Sequence, residues 1–257
     1  PAFIAAGGTV AEGTPTTTQI TAALKILIGD ADIDKFLAVT RSKDQDLVAE
    51  LLTIKGRNFA DFWGDKIVYG SIDADPNEFD GMHEIISDDV TGQQVHAGSG
   101  VTAGAGSFSL LDQLIDLTRP RPDALLASRR SIRGIQKLAR SQGWDLALST
   151  IGGINKPVRM FADVPLLPAN FQVDTETITT NAFSAKTGGV TSTIFAVRLD
   201  ETGLFGISAD DPAAEDDLER IIQLERIGTL ETKDANRWRL KHYGALVLKE
   251  SQALARL

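Results

Sequence analysis

The apolar positions change their spacing several times along the chain, and each change marks an element. Leu47, Leu51, Ile54, Phe59, Phe62 and Trp63 recur at helical intervals and predict a helix over residues 42–63. Gly56 is a candidate break in it and Gly64-Asp65 a candidate stop, after which residues 66–70 read as a short strand. Phe108, Leu111, Leu114 and Ile115 share a face and predict a second helix, Phe108–Leu117. Its cap is Ser107, or Ser109 in a capping box with Asp112. Pro120 and Pro122 stop it, because proline lacks the amide donor and crowds the preceding turn. Ala124–Ala127 is then a buried strand, and Ser128 caps a third helix. Ile132, Ile135 and Leu138 form its apolar side. Arg129, Arg130, Arg133, Lys137 and Arg140 form its polar side, and Gly143 closes it.

The remaining pattern is mixed. Residues 1–18 are small and polar and cannot bury enough apolar surface to fold alone. Residues 19–39 carry Ile20, Leu24, Ile26, Ile28, Ile33 and Phe36 around Gly29-Asp30, a turn signal. The stretch reads as a long hairpin or as a strand with a short helix. Residues 73–78 form a polar turn, 83–86 an apolar turn and 98–106 a glycine-rich loop. Val158–Phe161 reads as an edge-type strand bracketed by Pro157 and Pro165. Residues 191–199 read as an alternating strand, with 203–207 following across a turn. Residues 221–230 and 236–248 are two more strands. In the second, Trp238, Leu240, His242, Gly244, Leu246 and Leu248 share one face, and Arg237, Arg239, Lys241 and Tyr243 the other. Residues 249–257 read as a closing helix. Helices and strands without regular alternation make an α+β chain.

Composition narrows the function. With 42% apolar and 24% charged residues among 257, the chain is that of a folded protein of one large or two modest domains. A net charge of −9 is a poor basis for wrapping nucleic acid. The absence of cysteine excludes disulfides, thiol catalysis and thiolate metal sites. No apolar run approaches the roughly 20 residues of a membrane span, and Pro1-Ala-Phe-Ile does not open a signal peptide. A start at Pro1 fits trimming of an initiator Met or cleavage from a longer precursor.

Candidate chemistry does not converge. His83, His96 and His242 lack the spacing of a helical zinc site, and no Gly-x-Ser-x-Gly elbow occurs. The 98–106 loop lacks the Gly-Lys-Ser/Thr ending of a phosphate loop. Asp210, Asp211, Glu215, Asp216 and Asp217 lack the EF-hand spacing of a calcium site and read as a solvated acidic loop. The basic helix has no interleaved aromatics and reads as a subunit contact or a solvated face rather than a phosphate binder. No cofactor is implied. A hydrolase using His96 or His242 and a soluble binding module are rival readings.

The order of several segments resembles the major capsid proteins of tailed bacteriophages, whose shell fold is shared with encapsulins. Ile67-Val68-Tyr69-Gly70, Asp75-Pro76 and Phe79-Asp80-Gly81-Met82 resemble the run that precedes the spine helix in that family, with Met82 where Leu is usual. Phe108–Leu117 resembles the spine helix itself, and 122–130 the strand and helix that open the axial domain. Pro157-Val158-Arg159 to Val164-Pro165-Leu166-Leu167-Pro168 resembles a hairpin of that domain. Residues 194–206 resemble its later strand, and 224–257 the returning strands of the peripheral domain.

The resemblance covers roughly residues 65–257 and lies in the order of segments, not in one motif. It implies an N-terminal arm at 1–18, an extended loop at 19–39 and a peripheral domain at 40–120 and 223–257. The axial domain would be 121–222. The chain would be a structural subunit, not an enzyme, building hexamers and pentamers of an icosahedral shell around phage double-stranded DNA. Its partners would be itself, portal, scaffolding and decoration proteins, with DNA touched weakly and without sequence specificity. Its place would be the virion, after assembly in the host cytoplasm. An encapsulin-type compartment is the alternative. The expected subunit contacts are Lys25, Asp30 and Lys35 in the extended loop, the face Arg129, Arg130, Arg133, Lys137 and Arg140, and the complementary Asp210 and Asp211.

Overall fold

The computed structural model describes residues 21–41, 47–88, 92–97, 106–150, 157–179, 182–209 and 221–257. Strand β1 (Lys25–Asp34) runs straight through Gly29-Asp30, where the sequence suggested a turn. Gly29 lies under the Phe59 ring, where a Cβ would stand 3.2 Å from Cδ2, and Asp30 is bonded to the strand alongside. Helix α1 (Lys35–Arg41) follows directly, with the Asp34 carboxylate accepting from the Leu37 N–H at 3.2 Å. Of the two readings of residues 19–39, strand plus short helix is the one found over the described part, 21–39.

Helix α2 (Leu47–Tyr69) has 23 residues and absorbs 66–69, which the sequence suggested as a strand. Gly64 is not a stop. It faces the Phe171 ring, where a Cβ would meet Cε1 at 2.3 Å, and the helix ends only where the Gly70 N–H donates to the Lys66 carbonyl at 2.8 Å. Gly56 has open space around it and leaves the helix unbroken. Helix α3 (Met82–Asp88) replaces the expected apolar turn, its face of Met82, Ile85 and Ile86 being buried. Helix α4 (Phe108–Leu117) is capped by Ser107, whose Oγ accepts from the Leu110 N–H. At ten residues it is less than half the length of α2.

The chain continues through β2 (Ala124–Ala127), α5 (Arg129–Ser141), β3 (Ala147–Ser149), β4 (Val158–Phe161) and β5 (Val164–Pro168). Ala162 and Asp163 join β4 to β5 with φ of 46° and 61°, a two-residue turn in the left-handed region without a glycine. A ribbon of β6 (Thr177–Thr179) and β7 (Ala182–Ala185) leads to β8 (Ile194–Val197) and β9 (Leu204–Ser208). Then come β10 (Ile222–Thr229) and β11 (Ala235–Leu248). The C-terminal residues do not form a helix: a 3-10 turn, Ser251–Ala253, hands the chain to β12 (Leu254–Arg256).

Two sheets result. One has the order β12-β8-β2-β5-β4-β3, so β4 lies inside it and is not an edge. Pro165 is tolerated there because it faces Met160, the pair next to the closing Phe161–Val164 pair, where an antiparallel ladder has no bond to lose. The other is built on the 14 residues of β11. Its first half lies between β1 and β10, and its last five residues pair with β9. Thus β9 leaves β8 for the second sheet rather than turning back on it.

The six-stranded sheet is apolar on both faces. Leu125, Ala127, Ile194, Ala196 and Ala255 point to a core under α4 and α5. The alternate residues Ala124, Phe195, Val197 and Leu254 point to a second core with Val68, Met82, Ile85, Ile86 and Leu204. All four residues of β8 are buried for this reason, so the expected polar-apolar alternation is absent.

Candidate functional site

Helix α5 starts where Ser128 Oγ accepts from the Ser131 N–H at 3.1 Å, and closes at Gly143 with φ +82°. Ile132, Ile135 and Ala139 are buried, which turns the opposite side outward. At 3.6 residues per turn, Arg129, Arg130, Arg133, Lys137 and Arg140 fall within an arc of about 100°, along about 16 Å of axis. All five are exposed, and the helix carries no acidic residue. Arg129 donates to Asn170 Oδ1 at 2.9 Å, and Arg130 reaches the carbonyls of Asp174 and Val190 at 3.4 Å. Among the described residues none of the five has a carboxylate partner, and Arg133, Lys137 and Arg140 have no polar partner at all. Asp210 and Asp211 lie outside the described residues.

The other expected contact residues are engaged within the chain. Asp30 and Asp32 stand opposite Arg239 and Arg237 in the β1–β11 register. Each pair is bidentate: 2.7 and 3.0 Å for Asp30–Arg239, 2.6 and 2.8 Å for Asp32–Arg237. The guanidinium bonds hold both carboxyls below the usual carboxylate range. Lys241 extends the row by pairing with Glu225 of β10. Lys35 pairs with Asp234 at 3.0 Å, and Lys25 donates to the Pro76 carbonyl at 2.6 Å.

The same region leaves apolar surface open. Ile26 and Ile28 are 62% and 48% exposed on the outer face of β1, and Phe36 of α1 is 70% exposed. On β10, Leu224 and Ile227 are 50% and 43% exposed. The outer edges of β1 and β10 pair with no strand among the described residues.

A sealed polar cluster joins the layers. Glu176, fully buried, accepts from Tyr69 Oη at 2.5 Å and from the Thr193 N–H and Oγ1 at 2.6 and 2.7 Å. His83 Nε2 lies 3.5 Å away. Arg256 Nη1 faces His83 Nδ1 at 3.3 Å, which assigns the imidazole proton to Nε2, toward Glu176. Burial pushes the His83 pKa below its ordinary value and that of Arg256 down to about 10. Burial would raise Glu176, but the bonds it accepts outweigh that and hold it below the usual range. No spacing signalled this cluster, whose members come from α2, α3, β12 and the segments flanking the β6–β7 ribbon. With His83 and Glu176 at 1% and 0% exposure, it is a structural pin rather than a reaction site. His242 is buried edge-on to Trp63, with Nδ1 2.9 Å from the Ile221 carbonyl oxygen. Among the described residues no group of three His, Cys, Asp or Glu converges.

No family model and no curated protein matches the sequence. In three dimensions the chain has the shell fold shared by tailed-phage capsid proteins and encapsulins, as the sequence resemblance implied. It is similar to the chain of the holo-SrpI encapsulin complex from Synechococcus elongatus PCC 7942, with a TM-score of 0.70 at 17% identity over 91% of this chain and 73% of that one. It is similar to the capsid of the native GTA particle, with a TM-score of 0.65 at 14% identity over 100% and 80% of the two chains. For a structure titled Mycobacterium phage Adephagia the values are 0.57, 14%, 91% and 71%.

Proposed function

We propose that the chain is a subunit of a closed protein shell: a tailed-phage major capsid protein that assembles with itself into hexamers and pentamers of an icosahedral capsid around double-stranded DNA. One observation carries this reading beyond the fold. Among the described residues the sheet built on β11 keeps two open strand edges, with Ile26, Ile28, Phe36 and Leu224 exposed beside them. In a solitary domain such edges invite uncontrolled pairing, whereas in a shell they are what neighbouring subunits cover. Heterologous contacts of this kind close into rings.

In this reading residues 1–18 are the arm, and β1 with α1 is the part of the extended loop nearest the subunit body. Lys25, Asp30 and Lys35 serve the contact indirectly, by fixing that strand against its own chain. Residues 40–120 and 223–257 form the peripheral domain and 121–222 the axial domain. The spine role falls to α2, which has the length for it, rather than to α4. The subunit is structural, resides in the virion after assembly in the host cytoplasm, and works with portal, scaffolding and decoration proteins. A second reading, an encapsulin compartment, is favoured by the 0.70 TM-score to an encapsulin chain.

Negative-stain electron microscopy of the purified chain tests the proposal. Closed shells or capsomer rings are expected, and a monomer that persists at high concentration overturns it. Native particles separate the two readings: nuclease-protected DNA with a portal protein marks a virion, and an enclosed enzyme marks an encapsulin.

A further inference from the structure

We infer that the basic stripe of α5 is the docking surface for the acidic segment 210–219 of a neighbouring copy of this chain. The inference rests on the shell reading for the presence of that neighbour. The stripe is a one-signed surface; the carboxylate nearest its start, Asp174, is engaged by Ser128 Oγ rather than by an arginine. Five cations lie along one helix face without a carboxylate on the helix or a carboxylate partner among the described residues. Among the described residues Arg133, Lys137 and Arg140 have no hydrogen-bond or ion-pair partner, so their charge is available there at no cost in broken contacts.

The densest run of opposite sign in the chain is residues 210–219, ahead of the more thinly charged 73–89. Residues 210–219 hold Asp210, Asp211, Glu215, Asp216, Asp217 and Glu219, with no basic residue before Arg220. Ten residues with six carboxylates against thirteen with five cations is the charge complementarity that fixes partner choice and register at a contact.

The topology argues for a neighbour rather than the same chain. The segment is anchored at both ends on the middle of β11, since Ser208 pairs with Gly244 and Ile222 with His242. That sheet meets the six-stranded sheet through the core holding Leu204, Leu246 and Leu248. Helix α5 packs on the opposite core, through Ile132, Ile135 and Ala139. The six-stranded sheet therefore stands between α5 and the anchors of the acidic segment. A copy placed alongside presents its segment to the stripe directly, whereas the chain's own segment has to pass round a sheet edge.

The test uses the full-length chain and two readouts. In the first, the assembly of Arg133→Glu/Lys137→Glu is followed by light scattering and microscopy, with its melting temperature as a check on folding. Two reversals turn attraction into repulsion, so the concentration needed for assembly rises about tenfold. Combining them with Asp216→Lys/Asp217→Lys restores assembly. A double variant that assembles like the wild type, or a combination that does not recover, overturns the inference. In the second, a labelled peptide of residues 209–220 is titrated onto the wild-type chain and the double variant. Binding that weakens about tenfold in the variant, and again with rising salt, supports the contact whether or not shells form. Absence of binding to the wild type overturns it. Duplex DNA that binds where the peptide does not assigns the stripe to nucleic acid and also overturns it. Failure of the wild type to assemble counts against the shell reading alone, because the peptide titration still decides the contact.

Discussion

The two sheets use the same alphabet of strands for opposite ends. In the six-stranded sheet every residue of β8 is buried, and both faces are closed by cores that the chain supplies itself. In the sheet built on β11, strand β10 is mostly exposed, and its outer face is held by ion pairs rather than by apolar packing. The first is a finished core. The second is a finished backbone with an unfinished surface. Exposed ion pairs set the register of β1 on β11 while adding little to stability, since solvent screens them. Burial is thereby concentrated in one part of the chain and exposed apolar surface in the other.

The largest test of that division compares one substitution in both places. Leu125→Ala, at a fully buried site of β2, is expected to cost about 2–5 kcal/mol in urea unfolding. Leu224→Ala, at a half-exposed site of β10, should stay within about 0.5 kcal/mol. Equal costs would break the comparison.

A smaller effect comes from the pin at Glu176, which closes the finished core to acid. Unfolded, His83 takes up a proton around its ordinary value of 6.5, whereas burial withholds that proton in the folded chain. Stability therefore falls as pH drops below that value, by at most about 1.4 kcal/mol per pH unit for one proton. Glu176 acts further down: its folded value lies below the ordinary 4.5, so its contribution is present above that value and lost as pH falls through the folded one. Melting temperatures between neutral pH and pH 5 should decline for the wild type and decline less for His83→Gln. Parallel declines would remove His83 as the source.

The smallest effect concerns the β4–β5 hairpin. Ala162 has φ 46°, where a side chain is strained and glycine is not. Ala162→Gly is expected to raise stability by about 0.5–1 kcal/mol, read as a small rise in melting temperature. A loss instead would show that the Ala162 side chain stabilises the turn more than its backbone strain costs.

Much of the frame was legible in the chain. The caps Ser107 and Ser128, the stripe of α5 and the two faces of β11 each follow from spacing within one element, where the physics is local. The misreadings share a cause. Residues 66–69 continue α2 because Gly64 is needed under Phe171, over a hundred residues away in sequence. Gly29-Asp30 stays straight because Phe59 and Arg239 hold it. The C-terminal residues form a strand because β8 offers an open edge to Leu254 and Ala255. Helix propensity and turn chemistry are weak compared with such contacts.

The sequence by itself determined which faces are apolar, where the main helices begin and which surfaces carry one sign of charge, since these are set by side-chain period and by residues a turn apart. Only the tertiary structure decided that β9 departs from β8 to join β11. It likewise decided that β12 closes the central sheet, and that Glu176, His83, Tyr69 and Arg256 meet in one sealed cluster. Those outcomes depend on contacts between residues separated by up to 173 positions, for which no local pattern exists. The basic stripe stands between the two. Its composition was evident along α5, but only the placement of the six-stranded sheet separates it from the anchors of its own acidic segment.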